Sequence, residues 1–76
     1  MRIYLDRYYN FYTRSSQPWV DVELVQPARL SEVLAGAGIP LAEIYLVVVN
    51  GEALDPRDAF ITPQDKVKIY PPFGGG

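Results

Sequence analysis

Cysteine and histidine are both absent from this 76-residue chain. Their absence excludes disulfide staples, thiolate nucleophiles, imidazole bases and the common zinc ligands together. Chemistry carried by this chain must therefore use carboxylates, hydroxyls, Lys, Tyr or a chain terminus. A surplus of basic charge is missing too: seven Lys and Arg stand against nine Asp and Glu, for a net charge of −2. That balance argues against general nucleic-acid binding. No long apolar run exists. The longest, residues 44–49, is far too short to cross a bilayer. Charges also interrupt the apolar residues that follow Met1-Arg2, so no secretory leader is expected. A cytoplasmic protein is expected, in keeping with the lack of cysteine.

What is present fits one small globular domain. Apolar residues make up 49% of the chain and charged residues 21%, a composition that can build a core. A chain this short buries only about 60% of the surface it exposes when unfolded, which leaves little room for a deep enzyme pocket beside that core. Charge is unevenly spread. Arg2, Arg7 and Arg14 face only Asp6 in the first seventeen residues, so the N-terminal end is the basic end of a mildly acidic protein.

Residues 2–6 read as a strand, with Ile3 and Leu5 on one side. The aromatic stretch Tyr8-Tyr9-Asn10-Phe11-Tyr12 is expected to prolong it, and Ser15-Ser16-Gln17-Pro18 reads as a turn. Residues 19–25 alternate, Val20, Val22 and Leu24 against Asp21 and Glu23, which predicts a half-buried strand antiparallel to the first. From residue 28 the period changes. Leu30, Val33, Leu34 and Ala37 form one helical stripe. Glu32 suits the first turn, and Gly36, Gly38 and Pro40 close the helix. Residues 44–49 are apolar and β-branched, as a central strand would be. Asn50-Gly51 predicts a tight turn, followed by a short strand near Glu52-Ala53-Leu54. Phe60 and Ile61 are expected to return apolar bulk to the core. The last strand covers residues 66–70, with Val67 and Ile69 inward and Lys66 and Lys68 outward, keeping an exposed or edge strand soluble.

The order β-β-α-β-(short β)-β predicts an α+β fold of the β-grasp, ubiquitin-like kind: a mixed four- to five-stranded sheet gripping one short helix. A small open barrel of the OB type is the alternative with similar pieces, though that fold wants five longer strands. The domain is expected to span residues 1–72 and to leave residues 73–76 as a flexible glycine tail.

Pro71-Pro72 stops the last strand, and Phe73-Gly74-Gly75-Gly76 follows. Six extended residues from Pro71 reach roughly 20 Å. Glycine has no Cβ, so such a tail fits a narrow channel and leaves a terminal carbonyl open to attack. A glycine-rich end is, taken alone, more simply a frayed terminus or linker. The block before it changes that balance. Gly38-Ile39-Pro40, then residues 44–51 ending in Val49-Asn50-Gly51, then Gln64-Asp65-Lys66-Val67-Lys68-Ile69-Tyr70-Pro71-Pro72-Phe73-Gly74-Gly75-Gly76, resembles the MoaD/ThiS family of ubiquitin-like sulfur carriers. The resemblance covers residues 28–76, and the N-terminal strands only in outline. The Pro71-Pro72 ending is closer to the molybdopterin-synthase small subunit than to the thiamine carrier. Gly74 departs from the small non-glycine residue common at that place, and the Tyr-rich N-terminal segment is unusual. The stretch from Gly38 to Gly51 also resembles ubiquitin-like domains fused to nuclease-type domains, which lack the diglycine end.

The resemblance implies a carrier and co-substrate rather than an enzyme. A ubiquitin-activating-type adenylyltransferase would consume ATP to adenylate the Gly76 carboxylate. A sulfur donor would then convert it to a thiocarboxylate. A molybdopterin-synthase large subunit or a thiazole synthase would finally use the sulfur. Gly74 and Gly75 would thread the partner's channel, while Pro72 and Phe73 would dock on its surface. No bound cofactor, metal, nucleic acid or membrane is implied. A ubiquitin-like modifier conjugated through the same tail, and a non-covalent binding module, remain alternatives.

Six of the ten aromatics, Tyr4, Tyr8, Tyr9, Phe11, Tyr12 and Trp19, fall in the first quarter of the chain. Padding of a small core explains them as well as a protein-binding surface does. Stacking on single-stranded nucleic acid with Arg2, Arg7 and Arg14 is the weakest reading, given the net charge. Asp21 and Glu23 are expected to be solvated strand positions.

Overall fold

The computed structural model describes residues 1–72. The elements run β1 (Arg2–Tyr4), a 3₁₀ turn (Arg7–Tyr9), α1 (Asn10–Thr13), β2 (Trp19–Asp21), β3 (Ala28–Arg29), α2 (Leu30–Gly36), a second 3₁₀ turn (Leu41–Glu43), β4 (Leu46–Val49), β5 (Glu52–Leu54), β6 (Phe60–Ile61) and β7 (Val67–Tyr70). Five strands form one sheet in the order β2-β1-β7-β4-β5, and β3 pairs with β6 in a separate two-stranded ribbon. β1 and β7 are parallel while every other pair is antiparallel. This mixed sheet packed on a short helix is the expected β-grasp fold.

Alternation within the strands decides which face is covered. Ile3, Val47, Val49, Val67 and Ile69 point to the helix side and are buried with Leu30, Leu34, Ile39 and Ile61. The helical stripe read from the sequence thus supplies Leu30 and Leu34 to the core, with Val33 packed at its margin. Burial of one such aliphatic side chain contributes about 1.5–3 kcal/mol, so these nine residues dominate the stability of so small a domain.

The Asn50-Gly51 turn forms as predicted. Asn50 at φ 52° and Gly51 at φ 86° both occupy the left-handed region that a two-residue antiparallel connection needs. The Asn50 side chain does more. Its Nδ2 donates to Asp65 Oδ1 at 2.9 Å, and its Oδ1 accepts from the Lys66 amide at 2.9 Å. Asp65 Oδ2 in turn accepts from the Thr62 amide at 2.7 Å. The asparagine-glycine and aspartate motifs are therefore two halves of one hydrogen-bonded corner that fixes β4 against β7.

Several sequence expectations are corrected. The aromatic segment does not prolong β1. The Asp6 carboxylate accepts from the Tyr8 amide at 2.8 Å and turns the chain into helix, which ends at Arg14 with φ 56°. The second strand stops at Asp21, although the Met1 ammonium still donates to the Val22 carbonyl and Val25 is exposed. The helix begins at Leu30, because Ala28 and Arg29 pair with Ile61 and Phe60. Phe60 does not enter the core. It is 57% exposed, with the Arg29 guanidinium 5.0 Å from its ring centre. Residues 46–49 form an interior strand, as expected, bonded to β5 on one side and β7 on the other, and β7 holds the middle of the sheet. Lys68 accordingly lies on the open face of the middle strand, not on an edge.

Candidate functional site

The exit of the chain from the fold is built from the middle of the sheet. β7 is hydrogen-bonded on one side to β1 and on the other to β4, and the Tyr45 amide adds a last rung to the Tyr70 carbonyl at 2.9 Å. Pro71 follows and is buried, where its lack of an N–H leaves no donor unsatisfied. Pro72 is exposed. Two successive prolines fix φ at both positions, so the body of the domain sets the direction in which the chain leaves. Of the residues expected to carry function, Pro72 stands at this exit. Phe73, Gly74, Gly75 and Gly76 lie outside the described residues.

An open groove of about 640 Å³ begins at Pro72. Leu41, Tyr45, Leu46, Leu54 and Pro56 supply its apolar walls. Tyr45 is 70% exposed there and Leu41 is also exposed. The Asp55–Arg57 pair sits at the rim, with Arg57 Nη2 donating to Asp55 Oδ2 at 2.8 Å. That hydrogen bond, together with one from the Arg57 amide, holds the Asp55 carboxyl down at about 2. The rim is therefore charged but self-neutralised. The sequence pointed to none of these groove residues except Pro72. The available signal was Tyr45, an aromatic with a polar tip inside an otherwise aliphatic run.

A second surface lies on the face of the sheet away from α2. Register aligns Trp19, Tyr4, Lys68, Val48 and Ala53 in one row across all five strands. The Arg2 guanidinium stands 4.3 Å from the Trp19 ring centre and donates to Asp21 Oδ1 at 2.9 Å. That contact holds the Asp21 carboxyl below its ordinary range. Asp21 is thus an exposed ion-pair member on a strand, and Glu23 is exposed beside it.

The aromatic-rich segment has a structural task. Tyr8 and Tyr12 donate to the two carboxylate oxygens of Glu43 at 3.1 and 2.6 Å, and the buried Tyr9 donates to the Glu43 carbonyl at 2.7 Å. Tyr8 and Tyr9 meet edge to face, their ring centres 5.4 Å apart. Three hydroxyls converging on one residue tie the N-terminal helix to the Leu41–Glu43 turn. The hydrogen bond to Glu43 pushes the Tyr12 phenol up to about 12, and burial raises that of Tyr9. Among the described residues, no group of three Asp or Glu side chains is placed to hold a metal ion, and no helix is long and apolar enough to cross a membrane.

A five-stranded mixed sheet, one covering helix and a chain exit from the central strand define a ubiquitin-like domain. The family model described as Mut7-C ubiquitin matches residues 4–75, and the chain belongs to that family. No curated protein matches the chain.

Proposed function

We propose that this domain is a sulfur carrier whose Gly76 carboxylate is adenylated and then converted to a thiocarboxylate, for sulfur donation in molybdopterin or thiamine-thiazole synthesis. The observation that supports this reading is the exit itself. The middle strand of the sheet runs straight into a buried and then an exposed proline, and a Phe-Gly-Gly-Gly sequence follows. In the first step the carboxylate attacks the α-phosphorus of ATP and pyrophosphate leaves. In the second, hydrosulfide from a donor attacks the carbonyl carbon and AMP leaves, giving the thiocarboxylate. The domain is a co-substrate in both steps, and the partner adenylyltransferase holds the ATP. A carrier built this way needs no cysteine of its own. Removing Gly75 and Gly76 is expected to abolish ATP–pyrophosphate exchange by the activating enzyme encoded in the source genome. Undiminished exchange by the shortened chain would refute the proposal.

A second reading, a non-covalent protein-binding module, is favoured by the uncovered row Trp19, Tyr4, Lys68, Val48 and Ala53. It predicts that loss of Gly75-Gly76 changes nothing in vivo while Tyr4→Glu does. A modifier would instead form isopeptide conjugates visible on gels.

A further inference from the structure

We infer that the groove walled by Leu41, Tyr45, Leu46, Leu54, Pro56 and Pro72 is the docking surface for the activating partner, which fills it with an apolar ridge. This rests on the reading that Gly76 carries the activated carboxylate. On that reading only four residues separate Pro72 from the reacting carbon, a span of roughly 13 Å when fully extended. A reach so short obliges the partner to touch the body of the domain around Pro72 whenever it holds the tail. The two prolines fix the exit, so the surface touched includes the groove that Pro72 itself lines.

The chemistry of the groove selects the occupant. Leu41, Leu46, Leu54, Pro56 and Pro72 give it an apolar wall beside the polar rim of Asp55 and Arg57, and Tyr45 combines a broad apolar ring with a hydroxyl at its tip, the residue type enriched at binding hot spots. The one ion pair at its rim, Asp55 with Arg57 at 2.8 Å, is closed within the domain and offers little net charge to a partner. The sheet face differs, since Lys66 and Lys68 there have no ion-pair partner among the described residues. Docking at the groove, whose rim charges are already paired, therefore responds weakly to salt, whereas docking through the lysine-bearing face responds strongly.

The test is ATP–pyrophosphate exchange by the source organism's activating enzyme, with the carrier concentration varied. Tyr45→Glu and Ala42→Glu, the latter at a residue that also lines the groove and both at exposed positions, are expected to raise the half-saturating carrier concentration about tenfold or more with kcat little changed. Tyr45→Phe is expected to restore most of the loss. A chain lacking Gly75-Gly76 is expected to inhibit exchange by the intact carrier, and the same chain carrying Tyr45→Glu to fail as an inhibitor. Circular dichroism and urea midpoints confirm that the variants fold. Wild-type behaviour of both groove variants, with exchange still dependent on Gly75-Gly76, would overturn the groove and leave the tail reading intact. A steep loss of affinity with salt would overturn it in favour of the sheet face. Self-association abolished by Tyr45→Glu would reassign the groove to a second copy. Exchange independent of Gly75-Gly76 would remove the tail reading and this inference with it.

Discussion

At Gly38 the backbone sits at φ 90°, and a Cβ built there lies 2.8 Å from the Tyr12 carbonyl oxygen. Both facts demand glycine: one because side-chain-bearing residues are strained at that angle, the other because the N-terminal helix packs directly on this spot. Gly38→Ala is expected to cost at least about 2 kcal/mol in urea unfolding, and a cost under about 0.5 kcal/mol would contradict the packing described. Tyr9→Phe is expected to lower stability by about 1 kcal/mol, through loss of a buried hydroxyl–carbonyl bond. Tyr12 yields a pH prediction. Its folded value, about 12, lies above the ordinary value near 10, so the stability it adds is complete below pH 10 and is lost as pH rises through 12. The thermal midpoint is expected to fall across that window, and less so in Tyr12→Phe. An equal fall in both proteins would show that Tyr12 takes no part.

Residues 7–13 are tied to the rest of the domain by Glu43, which accepts three hydrogen bonds from Tyr8, Tyr9 and Tyr12. Glu43→Ala is expected to raise amide exchange across residues 7–13 while β4 and β7 keep their protection. Uniform protection in both elements would mean that aromatic packing alone holds the helix. This element also shows where sequence reading ends. The antiparallel β1–β2 pair, the α2 stripe and the Asn50-Gly51 turn were legible because they rest on local periodicity or a local φ requirement, whereas the parallel β1–β7 pair and the β3–β6 ribbon join distant segments and were not read. The course of residues 7–13 was not, although Tyr8, Tyr9 and Tyr12 carry helical spacing. Strand and helix both tolerate a run of tyrosines, and the deciding contacts come from Asp6 and from Glu43, 31–35 residues away from Tyr8 and Tyr12. Phe60 was misread for a related reason: a two-residue ribbon presents one side chain inward and one outward, and Ile61 holds the inward place.

In the whole molecule, the middle strand of the sheet leads into Pro71 and Pro72, where the described residues end. The fold follows from alternation and one helical stripe. Of the candidate site only Pro72 was legible, because the groove beside it is assembled from the Leu41–Glu43 turn, β4, β5 and the Asp55–Arg57 corner, none of which neighbours Pro72 in sequence. The central claim concerns the terminal carboxyl group, and one measurement addresses it directly. The domain is incubated with ATP, the source organism's activating enzyme and a hydrosulfide donor, and the C-terminal peptide is then weighed by mass spectrometry. The account predicts replacement of one oxygen by sulfur at Gly76, dependent on ATP. An unchanged peptide mass under conditions in which the enzyme activates another glycine-ended substrate would contradict it.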